Sequence, residues 1–183
     1  MPLARFATAR ALFETYPEIA QKIRAGPTDQ PAIDFARSVM SSGGLPDAVT
    51  YCAYLLPRRE AVWWACSSAR MLSVEIVQDG AAGLLAAEAW VYEPDDQHRQ
   101  AALVIGSNGD RGHPSTWLAL AAGWSGGFRS SGTKKIPTPP YMTARAVRIA
   151  VLFCAAKLRG SQRSSGLEAC IASGIKLAET GLN

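Results

Sequence analysis

The chain is predicted to fold as an all-α domain, a compact bundle of roughly eight or nine antiparallel helices with one long Gly/Pro-rich loop. Three observations carry that expectation. No segment alternates apolar and polar residues over the length of a strand, whereas residues such as Val49, Cys52, Ala53 and Leu56 recur at i, i+3, i+4 and i+7, the spacing of one helix face. Pro17, Pro31, Pro46, Pro57, Pro94 and Pro114 each precede such a stretch. Proline suits the first helical turn because its missing N–H would have no helical partner there. No motif recurs at a fixed period, so a bundle is expected rather than a solenoid.

In chain order, a short helix is expected over residues 8–16, a further turn of helix over 17–24, and a break at Gly26-Pro27. One domain spans 1–183, with residues 1–30 loosely attached. The next helix opens at Pro31, presents Ile33, Phe35, Ala36, Val39 and Met40, and stops at Gly43-Gly44. The Pro46 helix follows, then a helix from Pro57 to about residue 77, closed by a turn at Asp79-Gly80. Residues 81–92 are expected to turn Leu84, Leu85, Ala89 and Trp90 inward. Pro94-Asp95-Asp96 opens a helix carrying Ala101, Ala102, Val104 and Ile105, its acidic first turn suited to the positive end of the helix dipole. Gly106-Ser107-Asn108-Gly109 is read as a loop, without the Lys-Ser/Thr ending of a phosphate-binding P-loop. His113-Pro114-Ser115-Thr116 starts a short helix through Trp117, Leu118, Leu120, Ala121 and Trp124. Residues 125–141 form the long loop, Thr143 N-caps a helix to about residue 159, and a last helix covers about 164–179.

An apolar fraction of 48% over 183 residues supplies one substantial core. The longest nearly uncharged apolar run, residues 149–156, is far shorter than the roughly 18–20 residues that cross a bilayer. Arg5, Arg10 and Glu14 interrupt any export signal, so a cytoplasmic protein without a membrane partner is expected. Cys52, Cys66, Cys154 and Cys170 lie far apart in apolar helical surroundings and read as reduced core thiols. His98 and His113 have no partner at ligand spacing, so neither a metal nor another cofactor is expected. Charge is uneven: residues 1–100 carry 9 Lys+Arg against 12 Asp+Glu, residues 101–183 carry 10 against 3. The basic residues are scattered over two helices and a loop, a pattern of solvated faces or of an acidic protein partner rather than of nucleic-acid binding.

The candidate partner-binding residues are Arg58, Arg59, Glu60, Trp63, Trp64, Trp124, Lys134, Lys135, Pro139, Pro140 and Tyr141. Adjacent Trp63 and Trp64 stand about 100° apart on a helix, so one of them belongs at a boundary. Either Trp63 packs in the core while Trp64 wedges between helices, or Trp64 or its neighbour anchors another protein. Arg58 and Arg59 sit in a first turn, where the dipole disfavours cations. They either clasp acidic groups such as Glu88 or Glu93 or dock a partner's carboxylate or peptide carbonyl. Pro137-Thr138-Pro139-Pro140-Tyr141 favours polyproline II backbone, as a strap over Trp124 and Phe128 or as a ligand for an aromatic groove. His98 with Asp95 or Asp96 reads as surface ion pairing. No nucleophile–base pair or two-carboxylate site stands out, so no catalytic residue is assigned and a non-enzymatic protein is expected.

Leu56-Pro57-Arg58-Arg59-Glu60-Ala61-Val62-Trp63-Trp64-Ala65-Cys66, with Ala87-Glu88-Ala89-Trp90-Val91, Trp124-Ser125-Gly126-Gly127, Pro139-Pro140 and Thr143-Ala144-Arg145-Ala146-Val147, resembles an uncharacterised family of small bacterial proteins. Its members accompany type VI secretion clusters, beside PAAR-like spike-tip proteins and a larger effector-chaperone family. The resemblance covers roughly residues 46–150, and its most specific part is the Arg-Arg-Glu-Ala-Val-Trp-Trp block. It departs at Ser130-Ser131-Gly132-Thr133-Lys134-Lys135, more polar and basic here than the family pattern. The resemblance implies an adaptor or co-chaperone that binds an effector-specific chaperone, the effector or a PAAR-like spike protein. The alternative is an immunity protein that neutralises a cognate toxin.

Overall fold

The computed structural model describes residues 5–73, 81–131 and 133–181. Among them, helices α1 (Ala9–Thr15), α2 (Ala32–Ser41), α3 (Leu45–Leu55), α4 (Arg58–Leu72), α5 (Ala82–Tyr92), α6 (Asp96–Asn108), α7 (Pro114–Gly123), α8 (Tyr141–Ala156) and α9 (Gly160–Thr180) make the expected all-α fold. Pro17 opens a short 3₁₀ helix (Pro17–Gln21), Pro46 and Pro114 occupy the first turns of α3 and α7, and Pro31 and Pro57 stand at the N-caps of α2 and α4. α4 ends at Leu72, with Ser73 already extended as its C-cap, earlier than the expected 77; the Asp79-Gly80 turn lies outside the described residues.

At the centre is α7, in which all residues except Trp117 are buried; a helix apolar on every side is one that others surround. It packs against α5, α6 and α8, while α8 packs also on α3 and α4, and α9 closes across α2, α3 and α4. Close approach of α6 to α7 depends on glycine. A Cβ at Gly106 would come within 2.7 Å of Leu120, and one at Gly123 within 2.7 Å of Leu103. Gly106-Ser107-Asn108 is therefore the last turn of α6 and not a loop.

Trp64 is fully buried and Trp63 is exposed at 38%, the reverse of the expected core assignment and against a surface role for Trp64. The Trp64 indole reaches α9, where its Nε1–H donates to the Cys170 carbonyl at 2.8 Å. Gly174 makes the room, since a Cβ there would lie 2.9 Å from Nε1.

Several local expectations are corrected. The N-terminal segment is packed rather than loosely attached: Leu12, Phe13, Tyr16, Ile19 and Ile23 are buried, with Phe13 edge-on to Phe35 and Tyr16 edge-on to Tyr54 at 5.3 Å between centroids. Within the long loop, β1 (Phe128–Ser131) and β2 (Lys134–Pro137) pair antiparallel as a hairpin. Thr143 lies inside α8, which starts two residues earlier, and its hydroxyl donates to the Ala121 carbonyl of α7 at 3.2 Å. α8 ends at Ala156 and α9 begins at Gly160, both earlier than expected. Leu85 and Ala89 point to solvent; α5 is apolar almost all round, so its periodicity does not choose a face. All four cysteines are buried and free. Burial pushes the Cys52 and Cys154 thiols up to about 12, so at neutral pH they remain protonated.

Because Gly174 admits the Trp64 ring, Gly174→Ala is expected to destabilise the protein by about 1–3 kcal/mol. Gly26 faces open space, with nothing within 4 Å of where a Cβ would sit, and should tolerate Ala with a change below about 1 kcal/mol. Denaturant midpoints of the two variants check the contrast.

Candidate functional site

The first turn of α4 lies where two other helices end. Arg59 Nε donates to the Val91 carbonyl at 2.7 Å, in the last turn of α5. Arg58 Nη1 donates to the Ser125 carbonyl at 2.7 Å, just beyond α7. Arg99 of α6, only 7% exposed, donates to the Gly123 carbonyl at 3.1 Å and is braced by Asp96 Oδ1 at 2.6 and 2.8 Å. The last carbonyls of a helix lack intrahelical donors and carry partial negative charge, so guanidinium groups are well placed there. That attraction offsets the unfavourable position of Arg58 and Arg59 in α4's own first turn. The expected clasp onto Glu88 or Glu93 is not formed: Glu88 holds Arg70 in a two-point pair at 2.5 and 2.6 Å. Arg99 is not singled out by the sequence, although its i, i+3 spacing from Asp96 and the Ser125-Gly126-Gly127 turn are visible signals. Gly127, at φ +72°, lies against that guanidinium, where a Cβ would come within 2.6 Å of Nη2.

With the arginines anchoring the ends, the outer faces of α4 and α5 frame a groove of about 360 Å³. Trp63, Cys66 and Ser67 line it from α4, Glu88, Val91 and Tyr92 from α5, and Arg59 stands at one end. The rim is aromatic. Tyr92 is 88% exposed, and Met71 and Leu85 extend the apolar exposure along the same two helices. The buried Cys66 thiol lines the groove, raised above its ordinary range mainly by desolvation and so a poor nucleophile.

Of the other residues singled out, Glu60 is half-buried in α4's first turn. Trp124 is half-buried and stands edge-on to Trp117 at 6.4 Å. Lys134 and Lys135 are exposed on β2, Pro139 and Tyr141 are half-buried, and Pro140 is the exposed N-cap of α8. Phe128 is 63% exposed, so the Pro137–Tyr141 segment does not cover it. Thus only Arg59 and Trp63 of the candidate set come together in the groove, and Tyr92, its most exposed wall, is an addition that only the structure reveals. His98 pairs with Asp95 at 2.9 Å, and Asp95 also accepts the His98 N–H at 2.7 Å as the N-cap of α6. These hydrogen bonds hold the Asp95 carboxyl below its usual range. Glu93, Asp95 and His98 bring one ligand atom each within 4.8 Å of one another, but the Asp95 carboxylate is already engaged in capping.

The chain belongs to a family described as of unknown function, DUF6931, whose model matches residues 35–178. No curated protein and no solved structure matches it.

If Arg58 and Arg59 are helix-end clasps, Arg58→Met and Arg59→Met should each cost about 1–3 kcal/mol of stability. Lys135→Ala on the exposed hairpin should stay within about 0.5 kcal/mol. Chemical denaturation of the three variants provides the comparison.

Proposed function

We propose that this DUF6931 protein is a non-enzymatic adaptor that works by protein–protein contact, binding an effector-specific chaperone, an effector or a PAAR-like spike protein in the cytoplasm for type VI secretion loading. The observation that carries the binding role is the α4/α5 groove, where Trp63 and the 88% exposed Tyr92 flank Arg59. Tryptophan, tyrosine and arginine are the residue types that dominate interface energetics. The Arg59–Val91 clasp ties the start of α4 to the end of α5, so the backbone that carries the rim is already ordered before association. The type VI setting rests on the resemblance of the Arg-Arg-Glu-Ala-Val-Trp-Trp block. Trp64 and Arg58 belong to the frame, and the interface is centred on Trp63, Tyr92 and Arg59.

The test compares tagged wild-type protein with a Trp63→Ala, Tyr92→Ala double variant, each isolated from native cells. Wild type is expected to bring down a chaperone-like protein together with an effector or spike protein in stoichiometric amount. The double variant should recover at least about tenfold less, with its unfolding transition unchanged. Equal recovery by both proteins would remove the groove from the binding role. Recovery of a toxin domain alone, silenced by the complex, would replace the adaptor with an immunity protein.

A further inference from the structure

We infer that the occupant of the α4/α5 groove is an acidic amphipathic helix of a partner protein, with a carboxylate side chain set on Arg59 and apolar side chains between Trp63 and Tyr92. This rests on the groove as the binding surface and adds the chemistry of what it binds. The charge comes from Arg59, exposed at one end of the groove. Its Nε–H is engaged by the Val91 carbonyl at 2.7 Å, while among the described residues neither Nη group has a partner. A guanidinium fixed through one nitrogen and open at the other two presents a ready fork to a carboxylate. Glu88, the other charged residue of the lining, does not supply that carboxylate, because Arg70 holds it at 2.5 and 2.6 Å. The groove therefore carries one uncompensated cation beside its aromatic rim.

The walls decide the conformation of the occupant. Trp63, Cys66, Ser67 and Glu88 lie inside α4 and α5, where backbone N–H and C=O groups are paired along each helix. An extended segment would find no ladder of backbone partners there, and a chain terminus would find no nest of N–H groups. A helix needs neither, because its backbone is satisfied within itself. At about 360 Å³ the groove takes side chains and not a backbone, so the helix lies along the rim. Arg59, Trp63 and Ser67 follow one another every four residues on α4, a row of about 12 Å or two helical turns. That is the length over which a partner helix presents apolar side chains at i, i+4 and i+7. Exposed Met71 and Leu85 continue the apolar contact along the same two helices.

A display library of helical peptides with randomised surface positions, selected on the full wild-type chain and counter-selected on the Trp63→Ala, Tyr92→Ala double variant, supplies the probe. The selected pool is expected to carry apolar residues at helical spacing with Asp or Glu at one end. In the tightest binder, synthesised with an amidated C-terminus, replacing that acid by its amide should weaken Kd about fivefold on wild-type protein. The peptide change is read on unaltered protein, so no folding defect can produce it. Against Arg59→Met the same change should cost less than about twofold, which places the carboxylate on Arg59. Groove-dependent binders without an acid preference, proline-rich binders, or binders that require a free C-terminal carboxylate overturn the inference and leave the groove as a binding surface. A library that yields no binder dependent on Trp63 and Tyr92 overturns the inference and the groove reading together.

Discussion

Everything in this fold is arranged around one electrostatic constraint: α4 begins where α5 and α7 end. The carbonyls left over at those two C-termini, Val91 and Gly123 with Ser125 beyond it, need donors, and the bundle supplies them from arginine. Arg59 takes one helix, Arg58 and Arg99 take the other. A guanidinium stays charged at any physiological pH and presents several N–H groups in a fixed plane, so one side chain can serve carbonyls that backbone amides cannot reach. Two arginines at a helix start look electrostatically misplaced only while the helix is considered alone.

Trp64 completes the frame from the opposite side of the same helix. Its ring fills the space opened by Gly174 and its N–H bonds to α9, so α4 is held through polar ends and through a packed centre. One turn of helix therefore separates structural work from available surface. Trp64 and Arg58 belong to the frame, while Trp63 turns outward into the groove beside Tyr92 and the exposed Arg59 stands at its end. α4 and α5 are fastened at the Arg59–Val91 contact and again at the Arg70–Glu88 pair, and the aromatic rim of the groove between them is left over once the frame is satisfied.

Helix existence is legible in the sequence because proline and glycine mark the ends and a helical period marks the interiors, as at Pro46 and at Gly43-Gly44. What is not legible is instructive in physical terms. Trp63 and Trp64 are equivalent in composition, and which of them turns inward depends on Gly174, more than a hundred residues away in the chain. Leu85 and Leu84 are likewise indistinguishable in a helix apolar on nearly every side. Arg58 and Arg59 stand out as special, but within the chain the sequence suggests only carboxylates such as Glu88 and Glu93 as their partners, because the positions of backbone carbonyls leave no trace in it. The hairpin is hidden because its four-residue strands, Phe-Arg-Ser-Ser and Lys-Lys-Ile-Pro, are too short and too polar to show alternation. Tyr92 looks like one more apolar residue ending a helix until its neighbours are in place.

The division of α4 into an inward and an outward tryptophan is tested most directly by hydrogen exchange of the indole N–H groups in a uniformly ¹⁵N-labelled sample, with Trp63→Phe and Trp64→Phe used to assign the signals. The Trp64 Nε1–H, bonded to the Cys170 carbonyl in the core, is expected to exchange only through global unfolding, whereas the Trp63 N–H should exchange rapidly from the native state. Rapid exchange at Trp64 with protection at Trp63 would contradict the orientation of α4 on which both the frame and the groove depend.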